Sequence, residues 1–588
     1  MPTSPDPSLI TADPRLRRTA LALAGITLLS RLPFAARRLW DHDSIQFALG
    51  VEKYNPAAHH PHPPGYPLYI GILKVLAALG IPPQHAMVGL AILGGVLGSA
   101  LLFLLTARLT RVGEEGSAER REAAWRAGLF AGAIYAFNPL LWFYGELQLT
   151  YALEGGLAVA IAYGALRMAD SRRAFLLACV VFPLAGGLRQ STMILLTPLF
   201  LYGVFLTWRR GRLTWKLLFG GGLLSVAITL AWFIPLCVAC GGYAEYRRIS
   251  QEHYGQLLPY TSILYGGGWP ALRHNVEVLT KWAVQGILPG AVALGLAWIL
   301  APGRILPGLR HLISRLDWVA VWAVPPVLFF ALFHITKAGY TLVHLPALLL
   351  ALALAAAPAL AASRPRALAA VGLAALAGIG LFVFGADRRP EQSRLWFPVR
   401  NELNQGTIRA YERDLDRMLA AVRRYPPGQT VLATIELEGT GAAGAEGFLF
   451  PWHRHLQWYL PEYPVVMLVP DQGFSLTVRG HRPLEKVVGP VPVPLGTRRV
   501  LFVLSGPLEG RYALPLGEVL VGQGDFLVTA VPFRGALRVG PLEMQSGAGQ
   551  EERVAQGTPF GRDKSRPYNL AQPDSISGAR GTTARSRS

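Results

Sequence analysis

The stretch LWDHDSIQFALGVEKYNPAAHHPHPPGYPLYI, residues 39–70, concentrates polar chemistry in an otherwise apolar chain. Asp41 and Asp43 stand two residues apart. His59, His60 and His62 follow, with Pro63, Pro64 and Gly65 directly after them. A carboxylate held beside a hydroxyl can take its proton, which makes either aspartate a candidate general base. Near lipid its pKa would rise toward a useful value, because burial disfavours the charged form. The same aspartates and histidines are suitable donors for a divalent metal. Their spacing matches no closed ligand set, and the prolines stiffen the loop against wrapping an ion. No metal ligand is therefore assigned, and a divalent metal stays an open alternative. An acid just after an apolar segment can equally be a solvated loop residue. What favours order is the sequence around it. Ile45, Phe47 and Leu49 alternate with small or polar residues, while Phe47, Gly50 and Val51 share a helical face. Either pattern predicts an ordered amphipathic segment near the membrane surface, headed by the aspartates.

Positioning such a loop takes a scaffold, and the composition supplies one. Of 588 residues, 52% are hydrophobic and only 16% charged. The apolar residues gather in blocks of about 18–22, long enough to cross a hydrocarbon core of about 30 Å. The chain reads as a mainly α, polytopic membrane protein. Eleven spans are predicted, at about 19–38, 85–107, 127–144, 150–167, 174–188, 192–208, 217–240, 282–300, 318–334, 341–362 and 367–386. The first is followed by Arg31, Arg37 and Arg38, not by small residues, and reads as a retained helix rather than a cleaved leader. Cys179, Cys237 and Cys240 lie in apolar segments and read as small packing residues, since no further Cys/His pair completes a metal site around them.

The net charge of +20 would suggest a nucleic-acid partner in a soluble protein. Here the basic residues fall in alternate connections, as cytoplasmic loops require. Arg15, Arg17 and Arg18 precede the first span. Later clusters run from Arg108 to Arg126, Arg167 to Arg173, Arg209 to Lys216, Arg304 to Arg315, and through Arg364 and Arg366. The apolar segment GYPLYIGILKVLAALGI, 65–81, is long enough to cross, but crossing would turn every later basic loop outward. It is therefore predicted as an interfacial helix, with Pro63 and Pro64 at its start and Lys74 snorkelling. The loop 39–84 is then extracytoplasmic. So are Gly145–Leu149, Arg189–Ser191, the loop 241–281, Ile335–Tyr340 and everything after residue 387.

Beyond Ala386 the composition turns charged and mixed. Ile408, Tyr411, Leu415, Leu419 and Val422 recur at helical spacing. Short β-rich runs follow at 431–437, 465–470, 498–505 and 526–533, with Gly/Pro turns between them. A small α/β domain is predicted over 387–545, and a disordered tail over 546–588. WHRHLQWYLPEY, 452–463, mixes aromatics with histidines. It can serve as a glycan or headgroup contact, or simply as a helix at the edge of the core.

Asp43-Ser44 followed by HPPGYPLY at His62–Tyr69 resembles the bacterial family related to protein O-mannosyltransferases, within the GT-C superfamily of membrane glycosyltransferases. NPLLWFYGELQLTYALEGG (138–156), GGLRQS (186–191) and AGYTLVHLPALLLALA (338–353) are similar to later family segments. The resemblance covers about 15–386. It implies a GT-C bundle in a bacterial plasma membrane, with acids and juxtamembrane helices in the first outer loop. It also implies a polyprenyl-phosphate sugar donor, an acceptor hydroxyl on an envelope glycan, lipid or protein, and inversion at the anomeric carbon. By the same resemblance Asp43 would be the base and Asp41 its alternative or helper. His62 would order the loop or approach the donor, and Glu146 would bind sugar or acceptor. Tyr151 and Glu154 would line the cavity. The inserted AAHHPH departs from the pattern, which leaves His59 and His60 without a role. A leaving phosphate needs positive charge already in place. Arg189 is the first candidate, then Lys337 and His334, then Arg247 and Arg248, with arginine favoured for two-oxygen contacts.

Two other readings compete. A transporter or lipid flippase explains spans and intramembrane charges. It does not explain the clustering of acids and HPPG in one loop, and the paired interrupted helices of an inverted repeat are missing. A non-enzymatic envelope scaffold would need the outer domain but not Asp43. Neither the donor sugar nor the acceptor can be read from the sequence.

Overall fold

A chain surrounded by hydrocarbon must satisfy its backbone N–H and C=O groups internally, so the apolar blocks fold as helices. The computed structural model describes residues 13–111, 118–335, 337–385, 403–435, 452–504, 517–522 and 526–547. The helices are α1 (Pro14–Arg31), α2 (His42–Glu52), α3 (Pro67–Ala78), α4 (Pro83–Thr110), α5 (Ala118–Ala136), α6 (Pro139–Gly145), α7 (Tyr151–Arg167), α8 (Arg172–Leu188), α9 (Gln190–Arg209) and α10 (Trp215–Ala239). They continue with α11 (Tyr243–Thr261), α12 (Gly268–Ile299), α13 (Ile305–Ile313), α14 (Leu316–Leu332), α15 (Leu345–Ala361) and α16 (Arg364–Val383). Every predicted span overlaps a helix, although the first helix ends at Arg31, short of the predicted residue 38, and the span predicted from 341 is α-helical only from Leu345. Among the described residues five helices are long and apolar enough to cross a membrane alone, or up to seven spans if each of two bent pairs counts as one.

The predicted span 127–144 is one of those bent pairs. It breaks by 53° between α5 and α6. Pro139 starts the second piece, and Asn138 caps it by accepting from the N–H groups of Leu140 and Leu141. The predicted interfacial segment contains α3, whose 12 residues reach only about 18 Å, too short to cross. It starts at Pro67 rather than at Pro63–Pro64. Gly65 and Tyr66 take positive φ (100° and 49°), which no helix turn accepts. α2 differs from the expectation of a surface amphipathic segment. It is buried on all sides from Ser44 to Gly50, polar Ser44 and Gln46 included.

After α16 come α17 (Gln405–Val422), β1 (Thr430–Ile435), α18 (His453–Tyr459), β2 (Pro464–Val469), β3 (Phe474–Arg479), β4 (Glu485–Val488), β5 (Val491–Val493), β6 (Arg499–Leu504), β7 (Glu518–Val521), β8 (Leu527–Pro532), β9 (Ala536–Val539) and β10 (Leu542–Ser546). Seven strands form one sheet in the order β4-β3-β2-β1-β6-β8-β7, and β5-β10-β9 form a second. The centre, β2-β1-β6, is parallel and the flanks antiparallel. Ile408, Tyr411, Leu415, Leu419 and Val422 are all buried, as their spacing predicted. The predicted tail lies outside the described residues, apart from Ser546 and Gly547. α17 and α18 dock on the first loop, so the sheet unit and that loop share one end of the bundle.

Candidate active site

Asp41 caps α2. Its side chain accepts from the Ser44 N–H at 3.1 Å, while the Ser44 hydroxyl accepts from the Asp41 N–H, a reciprocal capping box. This fixes the entry angle of the helix and places Asp43 in its first turn. From far along the chain, a 3₁₀ segment at Ala338–Val343 brings up Lys337. Its Nζ donates to Asp41 Oδ2 at 2.6 Å and to Asp43 Oδ2 at 2.7 Å. The three side chains are 22–24% exposed, open enough for a substrate to reach them.

The two carboxyls are driven apart in acidity. Burial alone would raise Asp43, but Lys337 and His62 outweigh it and hold the group below the usual carboxylate range. Burial, with the Asp43 charge added, outweighs Lys337 at Asp41 and raises it. Burial would lower Lys337, but the two carboxylates hold it well above its ordinary value.

His62 stands beside Asp43, Nδ1 to Oδ1 at 3.8 Å. Burial lowers it to about 4 against the pull of Asp43, so the ring is neutral at pH 7. Its bonds name the tautomer. Nδ1 donates to Gln46 Oε1 at 2.7 Å, and Nε2 accepts from the Tyr66 hydroxyl at 2.9 Å. Tyr66 is left-handed at φ 49°, and Gly65 before it has Leu236 and Tyr54 against the place a Cβ would take. The HPPGY run thus aims a ring pair at the aspartates.

Arg189 lies at the junction of α8 and α9. Its Nε meets Glu154 Oε1 at 2.7 Å, and an Nη donates to Thr150 Oγ1 at 3.1 Å. The guanidinium lies 4.7, 5.2 and 5.9 Å from the ring centres of Tyr151, Tyr340 and Tyr66. Tyr66 therefore joins the arginine cluster to the aspartate cluster. The structure brings together Asp41, Asp43, His62, Lys337, Arg189, Glu154 and Tyr151. His334 packs edge-on to Tyr340 at 5.8 Å. Arg248 pairs with Glu245 and Glu252 on its own helix. Glu146 lies apart. It is fully buried against Arg31, Oε1 to Nε at 3.8 Å, below the Trp142 ring that Arg31 covers. Residues that sequence reasoning missed are Gln46, Tyr66 and Tyr340. The tyrosines stood inside quoted motifs, whereas nothing local marked Gln46.

The histidines of the insert have other work. His60 Nε2 contacts Arg454 at 3.2 Å, and His59 packs on His253 at 5.4 Å. WHRHLQWYLPEY contains the helix α18, whose residues His453 to Gln457 are buried and whose Arg454 donates to the Ala58 carbonyl at 3.2 Å in the first loop. Among the described residues no group of three or more His, Cys, Asp or Glu is placed to hold a metal ion. Between Asp41 and Asp43, where a cation would sit, stands the Lys337 ammonium, so the residues present do not fit a divalent metal there.

Residues 57–212 match the family described as protein O-mannosyl-transferase TMEM260, N-terminal domain. The match takes in His62, Glu146, Tyr151, Glu154 and Arg189, and not Asp41, Asp43 or Lys337. No curated protein matches the chain. Among solved structures, the chain is similar to ArnT from Cupriavidus metallidurans bound to undecaprenyl phosphate. That similarity has a TM-score of 0.50 at 14% identity, over 87% of this chain and 97% of that one. The apo state of ArnT from the same organism gives 0.46 at 14%, over 88% and 97%. The fold is that of a GT-C membrane protein, with a small sheet unit at its C-terminal end. The resemblance to GT-C enzymes related to protein O-mannosyltransferases is borne out.

Proposed function

We propose that this protein is an integral-membrane glycosyltransferase. It moves a sugar from a polyprenyl-phosphate-linked donor to a hydroxyl acceptor at the extracytoplasmic face. The observation that carries the reading is the Asp41–Lys337–Asp43 cluster, joined through His62 and Tyr66 to the Arg189 cage, at the loop end of a GT-C bundle. The donor class is supported by the undecaprenyl phosphate bound to ArnT, and transfer to a hydroxyl by the O-mannosyl-transferase description of the matching family.

In the reaction the acceptor oxygen bonds to the anomeric carbon as the bond from that carbon to the phosphate oxygen breaks. The bonding pair leaves with the polyprenyl phosphate, and the acceptor proton passes to Asp43. Arg189 and Lys337 supply positive charge where the leaving phosphate gains its negative charge. Lys337 also sets the timing. While it grips Asp43 the carboxylate is a weak base. A donor phosphate that draws the ammonium toward itself relaxes that grip and strengthens the base. Asp41 holds the lysine in place meanwhile.

The test is sugar transfer by purified protein in lipid nanodiscs. Radiolabelled polyprenyl-phosphate mannose, then glucose and arabinose donors, are supplied with host envelope extract as acceptor. Asp43→Asn is expected to lower kcat by about 10²–10⁴-fold, the usual worth of a positioned base. Transfer kept by the variant moves the base to Asp41. No transfer from any donor by folded wild type overturns the reading.

A further inference from the structure

Residues 37–40 form the short link that leads into Asp41, and none of its backbone is held by regular secondary structure. Its polar groups are held instead by the chain beyond residue 403. Glu412 Oε1, on α17, accepts from the backbone N–H of Arg37 at 2.5 Å and of Arg38 at 3.3 Å. Tyr459 Oη, on α18, accepts from the Leu39 N–H at 2.7 Å, and the Tyr411 hydroxyl donates to the Leu39 carbonyl at 3.0 Å. His455 Nε2 lies 2.7 Å from the same phenol. The phenol has one proton and gives it to the Leu39 carbonyl, so His455 Nε2 is the donor to the phenol oxygen. The Trp40 ring is then packed between Tyr411 at 4.7 Å and Phe143 at 5.4 Å. A bare extended link of this kind would otherwise exchange conformers freely, and with it the cap of α2.

We propose that the C-terminal unit is a positioning element of the active site. Glu412, Tyr411 and Tyr459 hold the backbone of residues 37–40, and through it the two aspartates against Lys337. None of the three touches the reacting groups. The kinetic part of this inference rests on the reading of Asp43 as base; the structural part does not.

The experiment therefore has two arms on the full-length protein in nanodiscs, with Glu412→Ala, Glu412→Gln and Tyr459→Phe. The first arm is amide hydrogen exchange at residues 37–44, which needs no substrate. Exchange is expected to quicken by about tenfold in Glu412→Ala and Tyr459→Phe, with β1, β2 and β6 unchanged. Glu412→Gln keeps an acceptor oxygen and should restore most of the protection. The second arm is transfer from the polyprenyl-phosphate sugar. A misplaced base lowers kcat by about tenfold or more with the donor KM within about twofold. Tyr459→Phe removes one oxygen and keeps the ring, so it carries the test if Glu412→Ala loosens the sheet. Exchange at 37–44 unchanged in both loss variants overturns the proposal, and so does a defect confined to donor KM. If wild type transfers no sugar, the proposed activity fails while the exchange arm still decides the coupling.

Discussion

One lysine between two carboxylates is the feature that most shapes the chemistry of this site. Lys337 lies 294 and 296 residues from its partners, and its charge is what lets Asp41 and Asp43 share one loop. Without it the aspartates face each other as like charges, and one of them must take up a proton. Lys337→Met is therefore expected to lower transfer by about 10²-fold, the scale of a lost transition-state charge contact. It should also move the acid limb of the kcat/KM profile upward by about one pH unit or more, since the pull that held Asp43 low is gone. A profile of unchanged shape would show that Lys337 does not set the acidity of the base. The lysine was visible in the sequence as a lone cation in an outer loop, but there it was ranked as a phosphate contact. Its grip on both aspartates is a fact of three dimensions.

At the scale of elements, the cage around Arg189 depends on how closely α7 packs. α7 carries Tyr151 and Glu154, and it crosses α4 at a pair of glycines. A Cβ on Gly156 would lie 2.3 Å from the Gly94 carbonyl oxygen, and one on Gly94 would lie 2.3 Å from the carbonyl oxygen of Ala152. Close backbone approach of this kind is how membrane helices gain contact area when apolar burial from water is not available. Gly156→Ala should push the helices apart at a cost of about 1–3 kcal/mol, the range for overpacking. Thermal unfolding in nanodiscs checks it. A variant as stable as wild type would mean the crossing can give by several tenths of an ångström. The strand record has a similar basis. The four predicted strands are the buried β1, β2, β6 and β8, while the missed ones are mostly short flanking or second-sheet strands. Strands such as β4 and β7 bury none of their residues fully and carry too little apolar pattern to be seen.

Over the whole molecule, the sheet unit and the first loop are also joined by His481 and Glu52. Nδ1 lies 2.6 Å from Glu52 Oε2, and the ring stacks on Trp458 at 4.8 Å. The hydrogen bond to Glu52 raises His481 above its ordinary value of 6.5. Its contribution is thus complete below about pH 6.5 and is lost as pH rises through the folded value. Both groups are open to solvent, so the effect on stability is small, but its sign is fixed. Amide exchange at residues 48–53, corrected for intrinsic rates, should be faster at pH 8 than at pH 6. Glu52→Gln should abolish that difference. Equal protection at both pH values would show that this contact does not help hold the two parts together.

The sequence by itself determined the class of molecule and the helical segments, and it named most of the residues that the structure gathers at the candidate site. Apolar blocks, alternating basic loops and the HPPGYPLY run are local or periodic signals, and each follows from one physical demand on a short piece of chain. It also separated α3 from the spans, because charge parity is a rule over the whole topology. Only the tertiary structure decided who stands beside whom. It set Lys337 between the aspartates, Glu146 on Arg31, His60 against Arg454 of α18 and His59 on His253, and it clamped residues 37–40 with residues from the far end of the chain. The reason is that pairing of buried charges and polar groups depends on distance through space, and sequence separations of hundreds of residues leave no periodic trace of it.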